Sequence, residues 1–244
     1  DRRMRLLLGS GGLRSDERRA IYFEEMARHF EDCAEVVFIP YASLDYSEYT
    51  SDITEFSGPS GVKIRGIETF ANPVQAIEQA EGIYVGGGNT FLLVKGLHDH
   101  GLIDIVRKRV SEGMPYMGVS AGANVACPTM QTTNDMPIVQ PPSFETFGLL
   151  PFQINPHYHD GTIWMKEGDL FKQHFGETRA QRIMEFHQHN DRSVLGLWEG
   201  AFLRWEGDSG LLIGGDATVF RPGTGPVTYP AGTEFGLDLV TRPY

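Results

Sequence analysis

The residues with the clearest chemical potential are Gly118-Val119-Ser120-Ala121-Gly122, followed by Ala123-Asn124-Val125-Ala126. A strand-like run, Tyr116–Val119, feeds a G-x-S-x-G pentapeptide, and a helix-forming stretch begins directly after it. This is the nucleophile-elbow arrangement, in which a sharp strand-to-helix turn lifts a serine hydroxyl to the carboxyl edge of a sheet. Such a turn is strained, so it needs small neighbours: a Cβ at Gly118 or Gly122 would meet backbone. The bland alternative is that Ser120 only caps a helix. The strand before and the helix after favour the elbow.

A second Gly-rich turn, Gly86-Gly87-Gly88-Asn89-Thr90, follows the strand-like Gly82–Val85 and opens a helix. A dinucleotide fingerprint would need glycine where Phe91 stands, and the Gly-Lys-Ser/Thr ending of a Walker loop is absent. The turn can instead present backbone donors, so that the N–H groups of Gly88 and Ala121 form an oxyanion hole; a purely structural turn is the other reading. A serine nucleophile also needs a base. His157, in Asn155-Pro156-His157, is expected on a loop at the end of the strand-like Phe152–Asn155. His29, His98, His100 and His174 read as solvated surface residues. The pairs His157-x-His159 and His187-x-His189, with Asp160 or Glu185 nearby, raise a zinc site, but neither pair has a zincin spacing, and no metal or other cofactor is expected. The third group of a triad must fix the imidazole tautomer. Glu199, just past the strand Val194–Trp198, and Asp135, in the polar stretch Thr132–Pro137, are both candidates.

These residues need a scaffold, and the pattern around them supplies one. Strand-like Met4–Leu8, Glu35–Pro40, Val62–Ile67, Gly82–Val85 and Tyr116–Val119 alternate with helix-like Ser15–Phe30, Tyr46–Phe56, Pro73–Ala80, Thr90–His100 and Leu102–Glu112. Short strands separated by such helices predict an α/β fold with a mostly parallel, doubly wound sheet. Ser15 and Asn72 are expected N-caps, the latter ahead of Pro73 at the first helical position. Residues 128–161 are rich in Pro, Asn and Thr, and a helix is expected over Glu177–His189. From Ser193 on, Val194–Trp198, Ala201–Trp205, Leu211–Ile213 and Thr218–Arg221 read as antiparallel strands that finish the sheet or cap one edge. With no repeat or linker, residues 1–244 read as one domain; Met4 is a candidate native start, which leaves Asp1–Arg3 upstream of it.

Composition narrows the function classes. The 244 residues carry 21 Lys plus Arg against 32 Asp plus Glu, a net charge of −11, which argues against a general nucleic-acid or anionic-membrane surface. Two cysteines, Cys33 and Cys127, are too few for a disulfide framework and fit a reducing compartment, so the expected location is the cytoplasm. No stretch approaches a membrane span, and Leu6-Leu7-Leu8 is too short for a signal-peptide core.

Five ordered blocks extend these motifs: Gly86–Phe91, Ser120–Thr129, Thr132–Ile138, Gln153–His157 and Gly176–Ile183. Together they resemble the peptidase E family of α-aspartyl dipeptidases, serine peptidases related to cyanophycinase and to the fold of class I glutamine amidotransferases. The resemblance runs from the first strand to about residue 220. It implies a cytoplasmic serine peptidase that hydrolyses dipeptides with a free N-terminal aspartate, with β-aspartyl hydrolysis of the cyanophycinase kind and a non-catalytic ligand-binding relative as the rivals. A small dipeptide-sized substrate is the expected partner, and a homodimer is one assembly open to the chain. It further implies Ser120 as nucleophile, His157 as base, Gly88 and Ala121 as the oxyanion hole, and Arg179 gripping the substrate β-carboxylate. For the third member it leaves Glu199 and Asp135, with Glu199 preferred and Asp135 organising the pocket or meeting the substrate amine. Cys127 is expected in a helix core. Three departures bear on the leaving-group side and the substrate range: Tyr158-His159-Asp160 after the histidine, Val119 before the serine, and a long Gly161–Gly176 segment.

Overall fold

The computed structural model describes residues 3–175 and 177–237; Asp1, Arg2 and Gly176, singled out above, lie outside the described residues. In chain order, β1 (Arg5–Gly9) leads to α1 (Asp16–His29), β2 (Val36–Ile39) to α2 (Tyr46–Phe56), and β3 (Ile64–Gly66) to α3 (Pro73–Gln79). β4 (Ile83–Val85) precedes α4 (Thr90–Asp99) and α5 (Ile103–Ser111), and β5 (Tyr116–Val119) precedes the single turn α6 (Ala121–Asn124). The helix starts are set by side chains: Ser15, Asp45, Asn72 and Asn89 each accept the N–H three residues on. Beyond α6 come β6 (Gln153–Tyr158), β7 (Thr162–Glu167), β8 (Leu170–Phe175), α7 (Arg179–Phe186) and β9 (Val194–Trp198). The chain continues through β10 (Phe202–Glu206), β11 (Ser209–Ile213), β12 (Ala217–Phe220), β13 (Val227–Tyr229) and β14 (Glu234–Gly236).

The main sheet has eight strands in the order β14-β11-β10-β1-β5-β4-β2-β3. Strands β1, β5, β4, β2 and β3 pair in parallel, and β10, β11 and β14 continue the sheet antiparallel from β1. A central parallel strand is covered on both faces, which is why β1 is apolar without alternation. Leu6 and Leu8 enter the core with Val37, Ile83 and Val106, whereas Leu7 packs on the opposite face with Tyr22 and Met26 of α1. Burying each of these leucines contributes roughly 1.5–3 kcal/mol.

Register delivers the functional consequence. Gly9 pairs with Val119, and Val85 with Gly118, so β1, β4 and β5 stop at one level. The loops that follow them converge at the carboxyl edge of the sheet, where open α/β folds place their ligands.

Several details differ from the sequence-based expectations. The run Val194–Trp198 does not extend the main sheet: β9 lies in a second sheet, ordered β13-β12-β9-β6, and pairs in parallel with β6. The long Gly161–Gly176 segment contains the antiparallel pair β7–β8, which no alternating pattern announced. The helix expected over 177–189 is shorter, because Thr178 caps it at one end and the chain leaves helical hydrogen bonding at His187. His29 is not a solvated residue: its ring lies edge-on to Phe30, and Nε2 is 2.9 Å from the Tyr116 carbonyl oxygen. Burial pulls its pKa down to about 4.

The elbow turn tolerates no side chain at either glycine. A Cβ on Gly118 would stand 2.2 Å from the Gly122 carbonyl oxygen, and one on Gly122 would stand 2.0 Å from that of Val85. Both obstacles are backbone and cannot rotate away. Gly118→Ala is therefore expected to lower the unfolding free energy by about 3 kcal/mol. A urea midpoint equal to that of the parent would show that the turn has slack.

Candidate active site

Ser120 sits where β5 ends, with φ 58° and ψ −117°. It occupies the N-cap position of α6, yet its hydroxyl makes no cap bond, so the helix-cap alternative does not describe it. Its N–H donates to the Gly9 carbonyl at 2.9 Å, which ties the elbow to β1. The Oγ reaches two other groups: Nε2 of His157, through a short hydrogen bond, and the Ser10 carbonyl oxygen at 3.1 Å.

His157 comes from the second sheet. It lies inside β6 rather than on a loop past it, at a register shift between Asn155 and Tyr158, and its own φ is 57°. The bulge turns a ladder residue out of its row, which re-aims the side chain. Nδ1 of the ring stands 2.6 Å from Oε1 of Glu199, and a neutral ring that donates from Nδ1 keeps Nε2 free to accept the Ser120 proton. Glu199 follows β9, so the parallel pairing of β6 and β9 carries acid and base together. The hydrogen bond from His157 lowers the Glu199 pKa below its ordinary value of 4.5, and the charges of His157, Arg18 and Arg179 act in the same direction against burial.

Glycine makes room for this line. A Cβ on Gly11 would stand 2.5 Å from Cε1 of His157, and one on Gly12 would stand 1.7 Å from Oε2 of Glu199. Both residues also hold positive φ, a conformation open to glycine. Across the serine, a Cβ on Gly87 would come within 2.8 Å of the Ser120 Cβ, so the Gly86–Gly88 turn lies against the hydroxyl-bearing residue. Gly88 has φ 132° and faces the Ala42 carbonyl. Ala121 opens α6, and its N–H is one of those a helix leaves without an intrahelical acceptor.

Asp135 is placed elsewhere. Its Oδ2 accepts from both the N–H and the Oγ1 of Thr90, at 2.8 and 2.6 Å. Asn89 donates from Nδ2 to the Met136 carbonyl at 3.0 Å. The stretch 132–136 thus clamps the start of α4, immediately after Gly88, and the His157 ring is bound by Glu199 instead.

Arg179 is the first residue of α7, after a full capping box built from Thr178 and Gln181. It is half-buried, and its Nη1 donates to Oδ1 of Asn134 through a short hydrogen bond. The same oxygen accepts from Nδ2 of the buried Asn155 at 2.7 Å, so a buried amide steadies the guanidinium's partner. The Nε–H of Arg179 is buried without a protein partner among the described residues. Burial lowers the pKa of Arg179, opposed by the fields of Glu199 and Asp135.

The remaining candidates separate from this centre. Tyr158 is buried against Trp198 and Phe220, His159 Nδ1 accepts the Gly161 N–H, and His187 Nε2 faces the Arg192 carbonyl. Among the described residues no group of three His, Cys, Asp or Glu side chains could hold a metal ion. Cys127 is fully buried, and Cys33 and Cys127 are both free thiols. Two features escaped the sequence reading: the Ser10–Gly12 turn, whose glycine pair after a buried strand was the available signal, and Asn134, which had only its place beside Asp135.

Glu199 also predicts a pH effect. Its folded pKa lies below the unfolded value, so its contribution to stability is complete above about pH 4.5 and fades as pH falls through the folded value. Glu199→Gln removes that contribution. The gap in urea midpoint between parent and variant should narrow from pH 6 to pH 3; a constant gap would mean that the carboxylate is not held by the imidazole.

Comparison with known proteins shows what the chain is similar to. The pattern of Peptidase family S51 matches residues 5–213. Peptidase E of Streptomyces coelicolor is 46% identical over 210 residues, covering 86% of this chain and 84% of its own length. A probable alpha-aspartyl dipeptidase of Drosophila melanogaster is 42% identical over 188 residues, covering 76% and 75%. Among solved structures, a peptidase from an acI-B1 actinobacterium superposes with TM-score 0.70 at 16% identity over 97% of this chain and 98% of its own. A putative peptidase E protein of Listeria monocytogenes EGD-e gives 0.60 at 20% identity, over 94% and 100%; both likenesses concern the fold. No helix among the described residues is long and apolar enough to cross a membrane. An S51 match over most of the chain and relatives above 40% identity lead to one statement: the chain belongs to peptidase family S51.

Proposed function

We propose that this peptidase hydrolyses dipeptides with an N-terminal aspartate through an acyl-enzyme on Ser120. The observation that carries the reading is the continuous hydrogen-bonded line from Ser120 Oγ through His157 to Glu199. The curated names peptidase E and probable alpha-aspartyl dipeptidase among the relatives support the substrate class.

In this reading His157 Nε2 takes the hydroxyl proton as Oγ bonds to the carbonyl carbon of the aspartyl residue. The carbonyl oxygen becomes an oxyanion, stabilised by the N–H groups of Gly88 and Ala121, each such donor typically contributing ~3–4 kcal/mol in the transition state. The tetrahedral centre collapses, the C–N bond breaks, and the leaving amine takes the proton from His157. Water, deprotonated by His157, then attacks the ester and releases aspartate, which restores the Ser120 hydroxyl. Glu199 stabilises the charged imidazole in both halves of the cycle.

Arg179 supplies selectivity. A half-buried guanidinium with an orphaned Nε–H is suited to a carboxylate, and a short-range charged pair outweighs the screened field of a chain with net charge −11. Asp135, bound to Thr90, holds the turn that presents Gly88 and acts as an organiser of the pocket. Two unbridged thiols fit the cytoplasm as the working compartment.

The test is a panel of Asp-Xaa, Glu-Xaa and β-aspartyl dipeptides. Ser120→Ala should abolish Asp-Xaa cleavage with an unchanged thermal midpoint; residual turnover at the parent rate would remove Ser120 from the reaction. Arg179→Ala should reduce kcat/KM for Asp-Xaa by about 100-fold, the scale of a lost charged hydrogen-bonded pair. An equal loss on every substrate would make the arginine structural. A preference for β-aspartyl substrates would move the chain to cyanophycinase-like hydrolysis.

A further inference from the structure

Ser10 is fully buried beside the triad, and both functions of its hydroxyl are in use. The Oγ accepts the His157 N–H at 2.8 Å and donates to the Leu197 carbonyl at 2.8 Å. These two partners lie on the two strands that deliver base and acid. His157 is at the bulge of β6, where a residue loses its place in the ladder, and the Ser10 hydroxyl takes up the N–H. Leu197 is in β9, two residues before Glu199.

The backbone of the same turn engages the remaining pieces. Gly9 accepts the Ser120 N–H, the Ser10 carbonyl oxygen lies 3.1 Å from Ser120 Oγ, and Gly11 accepts the Gly200 N–H at 2.8 Å. The Ser10 N–H donates to Ala201 at 2.9 Å. One turn after β1 therefore holds the chain on both sides of Glu199, the backbone of His157 and the hydroxyl of Ser120. Within it, the Ser10 hydroxyl is the side chain that spans base and acid strands.

We infer that Ser10 is a positioning residue of the reaction: its hydroxyl sets the spacing of His157 and Glu199 and holds the imidazole at the reach of Ser120. The inference rests on the reading of Ser120 as nucleophile. Loss of the hydroxyl leaves the His157 N–H and the Leu197 carbonyl without this partner, and the ring then drifts relative to both neighbours. Displacement of this kind slows the chemical step and leaves substrate affinity alone, because Ser10 lies behind the triad and Arg179 is on another element.

The experiment compares the parent, Ser10→Ala and Ser10→Cys, with active molecules counted by exhaustive fluorophosphonate labelling and mass spectrometry. Per labelled molecule, Ser10→Ala should turn over Asp-Xaa about 100-fold more slowly with KM nearly unchanged, and its labelling rate should fall in parallel. Ser10→Cys keeps a weak donor and acceptor and should fall between the two. A merely structural serine would reduce the number of labelled molecules and leave the rate of each at the parent value, and that result overturns the proposal. Should Ser10→Ala give no folded protein, Ser10→Cys decides alone: a parent-like rate per molecule overturns it. Parent protein that is not labelled at Ser120 would instead remove the nucleophile reading.

Discussion

Among the described residues, left-handed backbone occurs at two positions other than glycine, Ser120 and His157. Each such residue costs of order 1–3 kcal/mol unless its surroundings hold it there. Here the surroundings are unusually specific. Ser120 is held from behind by the Gly9 carbonyl and crowded by Gly87, while His157 is held at a bulge between strands of the second sheet. The strain sits on the two residues whose side chains meet. Relaxing either backbone would separate the hydroxyl from the imidazole, so the rest of the fold can be understood as a restraint on two φ angles.

That restraint draws on the eight-stranded and the four-stranded sheet. The parallel sheet supplies three strand ends at one level, and the smaller sheet brings His157 and Glu199 over the edge through the β6–β9 pairing. Glycines at 11 and 12 then let the two layers approach more closely than any side chain would allow. The geometry is thus a property of packing between layers, with each reactive group contributed by a different loop or strand.

Much of this was legible in the residues, for local reasons. The elbow announces itself because a strand, two glycines and a helix are contiguous, and the helix starts at Ser15 and Asn72 follow from cap chemistry. What stayed open was non-local. Glu199 and Asp135 are equivalent as loop acids, and only the pairing of β6 with β9 decides which one meets the ring. The bulge at His157 and the parallel direction of β9 left no periodic trace, since both depend on a partner strand some 40 residues away. His29 reads as solvated because Arg28, Glu31 and Asp32 make its stretch polar, whereas the carbonyl that meets its ring belongs to Tyr116, on a strand distant in sequence.

The stretch 132–136 touches two ends of the pocket through adjacent residues: Asn134 holds Arg179, and Asp135 holds Thr90 behind the Gly88 turn. The guanidinium and the start of α4, next to the Gly88 turn, are thereby joined over a single peptide unit. Under the proposed roles, a ligand that left Arg179 without its acidic group would also leave the Gly88 turn less firmly braced. Discrimination among substrates would then be written in the rate of acylation more than in the strength of docking.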